Sequence, residues 1–206
     1  TEFSKKYAGK CIGICGSIIL EHRVPDHLYI GNQFCHLLFP ERKLLFEIIE
    51  KAAAEQVKIT LVFSYIREYM LDYITELLDE INRWCEEKRQ SVEIVVNDWG
   101  MASLVKKSRR NLIPSLGILL NKRRKDPRIP FKKGEQKWFE RNSLNAGFYR
   151  NFLEREYGIQ RFEWESCGYE QQIPPGKNSL HIPFYQTNTS QYCPLGAVCE
   201  TGERGR

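Results

Sequence analysis

The sequence has no apolar run approaching the roughly 18 residues of a membrane-crossing helix, which argues against a membrane span. Its apolar stretch at 12–20 is too short to cross, and the small residues around it do not resemble a signal peptide. No GxGxxG turn follows the first strand-like segment, which lowers the case for a nucleotide-binding sheet. Neither a serine nucleophile elbow nor an HExxH zinc motif is present, so the residues give no support to protease chemistry. Internal repeats and low-complexity linkers are also missing. Cysteine is not scarce: there are seven, an odd number. They form no small disulfide framework, and a chain of 206 residues with long helices needs no such staples. Reduced thiols, some of them ligands, are expected.

Composition is that of a globular protein, 42% hydrophobic and 28% charged, and the length suits one domain with a real core. We expect a single cytoplasmic domain over 1–206, with an N-terminal extension at 1–25 and a cysteine-bearing C-terminal segment at 187–206. The chain opens at Thr1 rather than Met, as expected of a piece of a longer protein. The net charge of +5 is unevenly spread: between Lys106 and Lys137 lie 12 Lys/Arg and only two acids, Asp126 and Glu135.

Apolar runs and helical periodicity alternate along the sequence. Strands are expected at 27–31, 57–65, 92–98, 113–120, 159–166 and 179–186. Between them, Leu44, Leu45, Ile48, Ile49 and Ala52 mark one helix face, and Met70, Ile74, Leu77, Leu78 and Ile81 another. "MASLVKKS" reads as a short helix, and 136–158 as one or two helices ending at Gly158. Strands apolar throughout and separated by helices predict a parallel α/β sheet. The candidates are an open doubly wound sheet and an incomplete or shortened (β/α) barrel, and both place chemistry at the carboxyl ends of the strands.

That rule singles out several side chains. Cys35 follows the first strand, Cys167 directly follows "FEWES", and Cys193 and Cys199 follow the last strand. Cys85 lies within the long helix and reads as packing, whereas Cys11 and Cys15 lack the third thiolate of a radical enzyme. Spacing alone leaves an iron–sulfur centre, a zinc site and ordinary core or loop cysteines all open. Asp98 ends "VVND", where it could meet a substrate or cap the helix beginning near Met101. Glu163 and Glu165 alternate with Phe162 and Trp164 and so share one strand face. Glu165, nearest the strand end, is the stronger candidate if that face lines a barrel. His36 and His181 are each open to a buried structural role or a site role. The basic run with Lys122, Arg123, Arg124 and Lys125 could grip RNA or an acidic partner, with Phe131 and Trp138 stacking, or form a solvated loop.

The segment "LYIGNQFC" resembles the "YLGxxxC" opening of the UbiU/UbiV branch of the collagenase-like peptidases of unknown catalytic type. "VEIVVNDWGMASLV", "RFEWES" and "LHIPFYQTNTSQYCPLGAVCE" are similar, in order, to later segments of that family, over residues 27–200. The resemblance implies a barrel-like α/β fold and, in the UbiU/UbiV branch, a [4Fe–4S] cluster on four cysteines. By position it assigns Cys35, Cys193 and Cys199 as ligands. For the fourth, Cys167 taking the place, a ligand beyond the sequence, and no complete cluster all remain open. It further implies an oxygen-independent hydroxylation or redox step on a ring-containing small molecule or an RNA base, with a homologous or electron-donating partner protein. Asp98 and Glu165 are the expected catalytic carboxylates. The alternatives are a non-catalytic RNA- or protein-binding module with structural cysteines, and a zinc-dependent hydrolase using the same thiolates with a histidine.

Overall fold

The structure is a computed structural model that describes residues 26–107, 109–124, 126 and 128–182. Its centre is a sheet of six strands, β1 (His27–Gly31), β2 (Lys58–Val62), β3 (Val92–Val96), β4 (Leu112–Leu116), β5 (Arg161–Glu165) and β6 (Lys177–His181). Every neighbouring pair is parallel, and the spatial order is the sequence order, β1 through β6. A doubly wound sheet would reverse direction once along that order. This one never does, which decides between the two expected architectures.

The sheet also curls. Laid flat, six strands would hold β1 and β6 roughly 24 Å apart, five spacings of about 4.8 Å. Instead the Tyr29 hydroxyl of β1 donates to Ser179 Oγ of β6 at 2.9 Å. The fold is therefore an incomplete parallel (β/α) barrel.

Helices α1 (Arg42–Ala54), α2 (Leu71–Lys88) and α3 (Trp99–Lys106) cover its outer face, joined, after the short α4 (Gln136–Glu140) in the β4–β5 connection, by α5 (Gly147–Tyr157). The strand period of two sorts the side chains. Leu28, Ile30, Leu61, Ile94, Leu116 and Trp164 point outward and meet Leu45, Ile49, Leu77, Ile81, Met101 and Leu153 of the helices, forming one continuous core. Leu44, expected on the buried face of α1, is 43% exposed, because the core-facing stripe runs through Leu45, Ile48, Ile49 and Ala52. The helix expected from the stripe Met70 to Ile81 is a 3-10 turn at Glu68–Met70 followed by α2, which stops where Arg89 adopts a left-handed conformation (φ 54°). Gly158 ends α5 in the same way (φ 71°), a conformation that suits a residue without Cβ. Cys85 is wholly buried in α2, and burial, with the charge of Glu86 adding, pushes its thiol up to about 11. It is packing, as its position in the helix suggested. Among the described residues no helix is long and apolar enough to cross a membrane.

Candidate functional site

What the strands turn inward is polar, contrary to the expectation of strands apolar on both faces. Tyr29, Thr60, Glu93, Ser115, Arg161 and Glu163 come from five strands and meet inside the curl. At their centre is Glu163, with no exposed surface. Its Oε1 lies 3.3 Å from both the Tyr29 hydroxyl and Ser115 Oγ, which donate to it, and 3.9 Å from Arg161 Nε. Its Oε2 lies 2.7 Å from His181 Nε2. Arg161 continues the network, reaching Glu93 Oε1 at 3.5 Å and donating to Ser179 Oγ at 2.8 Å. Thr60 Oγ1 donates to Glu93 at 3.1 Å. Burial first, and the charge of Glu163 second, hold the Tyr29 phenol above the ordinary tyrosine range, so it remains a donor.

The 2.7 Å contact between His181 Nε2 and Glu163 Oε2 fixes the plane of the imidazole. Its Nδ1 has no hydrogen-bond partner among the described residues. Gln33, just beyond β1, fixes its own amide by accepting Ile118 N–H at 3.1 Å, and its Nε2 lies 3.3 Å from the same imidazole nitrogen. The ring packs edge-on to Tyr29 at 5.8 Å. A partly exposed imidazole oriented by a buried carboxylate, at the carboxyl ends of adjacent strands, is an arrangement that can accept a proton from a bound molecule.

The expected site residues divide. Glu165 does face the interior beside Glu163, but its carboxylate is held by Arg123, with Nη2 and Oε1 3.2 Å apart. Both are nearly fully buried, at 4% and 3% exposure, and Arg123 also donates to Gln171 Oε1 at 2.7 Å. Asp98 carries two backbone bonds: Oδ1 accepts Met101 N–H at 2.7 Å, capping α3, and Oδ2 accepts Ile66 N–H at 2.9 Å, tying the loop after β2 to the end of β3. It also borders a cleft of about 360 Å³ lined by Ile66, Leu71, Met101, Leu104 and Lys107. Asp98→Ala is expected to cost about 1–2 kcal/mol through the lost cap and crosslink. A loss below about 0.5 kcal/mol in urea unfolding would contradict that structural role.

Cys35 lies on the loop after β1, where its N–H donates to Asn32 Oδ1 at 3.0 Å. Cys167 lies just past β5, where its thiol donates to the Tyr169 carbonyl at 3.2 Å and accepts from Gln171 Nε2. Cys193 and Cys199 fall outside the described residues, as do Cys11 and Cys15. Half of the implied tetrathiolate set is therefore described, and it occupies the carboxyl rim on strands whose inner faces meet. No group of three potential ligands converges among the described residues.

The basic run is anchored at Arg123 and Arg124. Arg123 is buried, while Lys122 and Arg124 are exposed and Lys125 lies outside the described residues. Arg124 Nη1 donates to the Trp138 carbonyl at 2.9 Å, its guanidinium stacks on Phe139 at 5.4 Å, and its own carbonyl accepts from Tyr169. Arg128 and Lys132 both bond Asp126, which holds its carboxyl well below the usual range. Further exposed cations and aromatics follow at Lys132, Lys133, Lys137, Phe131 and Trp138. His36, half-buried beside Cys35 in the next turn, bonds the Tyr69 hydroxyl at 3.1 Å.

Sequence reasoning weighed Glu163 and His181 without joining them, and passed over Tyr29, Glu93 and Arg161. The signal available was the alternation in "RFEWE", which puts Arg161, Glu163 and Glu165 on one face. The fold and site define an incomplete parallel α/β barrel with an interior carboxylate–histidine pair. Set against known proteins, the chain matches no family model, no curated protein and no solved structure.

Proposed function

We propose that the protein is an enzyme that takes a small polar molecule into the carboxyl mouth of the half-barrel and moves a proton to or from it through His181. The 2.7 Å contact between His181 Nε2 and the fully buried Glu163 carries this reading. Glu163 orients the ring and stabilises the imidazolium formed when Nδ1 takes a proton. Tyr29, Ser115 and Arg161 surround the Glu163 carboxylate. The fork of Arg161 is already engaged by Glu93 and Ser179, so its role is to balance charge. The test is a screen of a metabolite library by ligand-detected NMR, followed by titration of any hit into His181→Gln. Binding weakened at least tenfold, with the fold retained, is the expected result. A hit that binds both proteins equally would sink the reading.

A second reading is favoured by the placement of Cys35 and Cys167 beyond β1 and β5, the strands whose side chains meet across the curl. In it these two thiolates, with Cys193 and Cys199, hold a [4Fe–4S] cluster, and the acid–base pair serves a redox or hydroxylation step on a ring-containing molecule or RNA base. A bound cluster would supply electron transfer, while this chain's residues would bind and orient the substrate. Protein purified without oxygen would then be brown, with a broad absorption band near roughly 400 nm and matching iron and sulfide. Zinc without sulfide would point to the hydrolase instead, and no metal at all would remove both.

A further inference from the structure

The β4–β5 connection presents charge and aromatic surface that the barrel interior does not use. Between Asn121 and Arg141 it holds nine Lys/Arg and three acids, more net positive charge than the entire chain, whose net is +5. The structure sorts these cations by kind. The arginines are engaged within the protein: Arg123 by Glu165 and Gln171, Arg124 by the Trp138 carbonyl and the Phe139 ring, and Arg128 by Asp126. Arg141 lies over the Trp138 ring at 5.6 Å. Lys132 shares Asp126, whereas the exposed Lys122, Lys133 and Lys137 make no ion pair among the described residues. Phe131 is the most exposed large hydrophobic side chain among the described residues, at 87%. Its 3-10 turn, Ile129–Phe131, is nevertheless well anchored, with Ile129 only 1% exposed. The Phe131 N–H donates to the Arg128 carbonyl at 2.9 Å, and Asp126 holds both flanking side chains, Arg128 at 3.0 Å and Lys132 at 2.6 Å. A turn fixed in this way projects the phenyl ring by construction. Trp138, 59% exposed, follows with its indole N–H donating to Glu135 at 2.9 Å, an apolar body with a polar tip.

We propose that this connection docks the protein on an anionic membrane surface: Phe131 enters the boundary of the acyl chains, Trp138 rests at headgroup level, and Lys133 and Lys137 meet the lipid anions. Two features favour lipid over a nucleic acid or an acidic protein. The arginine forks, which grip paired oxygens of a phosphate or carboxylate, are already engaged inside the protein, and the lysines left outside are point charges that need no fixed partner geometry. Phe131 is followed directly by Lys132 and Lys133, which makes it a wedge with a cationic collar rather than one of a row of stacking platforms. Docking of this kind lies on the bilayer and asks for no spanning helix. The connection leaves the sheet at the carboxyl end of β4 and is joined to the β5–β6 connection, where Asn142 Nδ2 and the Gln172 N–H each make a 3.0 Å bond, to the Gln172 and Glu140 carbonyls. A docked bilayer therefore lies beside the mouth that holds His181. The proposal does not rest on the role given to that histidine.

The test is flotation of the full chain with vesicles of phosphatidylcholine holding about 30% phosphatidylserine, at roughly 0.1 M salt, beside vesicles of phosphatidylcholine alone. Binding to the anionic vesicles only, and its loss at roughly 1 M salt, is expected. Phe131→Ser is expected to weaken partitioning roughly tenfold and Phe131→Leu to leave it within about twofold, because the wedge needs an apolar side chain rather than an aromatic face. Lys133→Ala/Lys137→Ala is expected to weaken it roughly 30-fold, the effect of two charges near the surface. These substitutions replace exposed side chains, and an unchanged circular dichroism spectrum checks that each variant folds. In Phe131→Trp the introduced indole is expected to shift its emission to the blue on anionic vesicles and to be quenched by brominated acyl chains, a signal that charge contact alone does not give. Absence of binding to the anionic vesicles overturns the proposal, as does a Phe131→Ser protein that binds them as tightly as the parent. Polyuridylate or polyglutamate bound as tightly as the vesicles also overturns it, since charge alone then accounts for the affinity and the partner is a nucleic acid or an acidic protein.

Discussion

Gly31→Ala is expected to lower stability by about 3–5 kcal/mol, from backbone strain and overpacking together. Gly31 ends β1 with φ at 111°, outside the region that residues with a Cβ adopt readily. A Cβ there would lie 2.2 Å from the Val62 carbonyl oxygen and 2.8 Å from Phe39 Cδ2. The first of those atoms is backbone in the register-paired strand β2, so no rotamer change relieves the clash. The chain must turn at this point to bring Gln33 against Ile118 and His181, so the damage also falls on the rim of the site. Urea unfolding should show a lowered midpoint with an unchanged slope. A midpoint equal to that of the parent protein would mean that this turn is not set as described.

Glu163→Ala is expected to cost about 3–5 kcal/mol, the range for removing one partner from a buried charge network. The substitution leaves Arg161 with Glu93 alone, and deprives Tyr29, Ser115 and His181 of a shared acceptor. Glu163→Gln keeps the shape and an acceptor oxygen, and should lose only about 1–3 kcal/mol. The glutamine loss reports the charge, and the further loss in alanine reports the filled volume and the acceptor. Equal losses would show that the carboxylate charge carries the whole effect and that the filled volume adds nothing measurable. A loss below about 1 kcal/mol for alanine would mean that the interior groups act independently rather than as a network.

Much of the architecture was readable because outward-facing strand residues and helix stripes obey simple periods. Leu28 and Ile30, or Ile94 and Val96, alternate along strands that the sequence marks clearly, and all six strands lie where apolar runs placed them, with boundaries shifted by a few residues. The interior was less legible for a physical reason. Thr60 and Ser115 are small enough to pass as members of an apolar run, and they show their polarity only through Glu93 and Glu163, which lie 33 and 48 residues away. The choice between Glu163 and Glu165 turned on distance from the strand end. What separates them is Arg123, 42 residues before Glu165, inside a run that looked like solvated charge. Asp98 was correctly recognised as a possible cap, and the structure adds the Ile66 bond that spacing could not supply.

The sequential strand order has a consequence for the time course of folding. Each strand pairs with the one made just before it, so the sheet can grow unit by unit with short loops to close. The contacts across the mouth are of another kind, since Tyr29 with Glu163, Tyr29 with Ser179, and Gln33 with His181 join residues 134, 150 and 148 apart. They cannot form until the fifth and sixth strands have docked, so the polar interior is completed after the sheet around it. A nascent or partly folded chain therefore possesses much of its hydrophobic core before the polar network across the mouth can close.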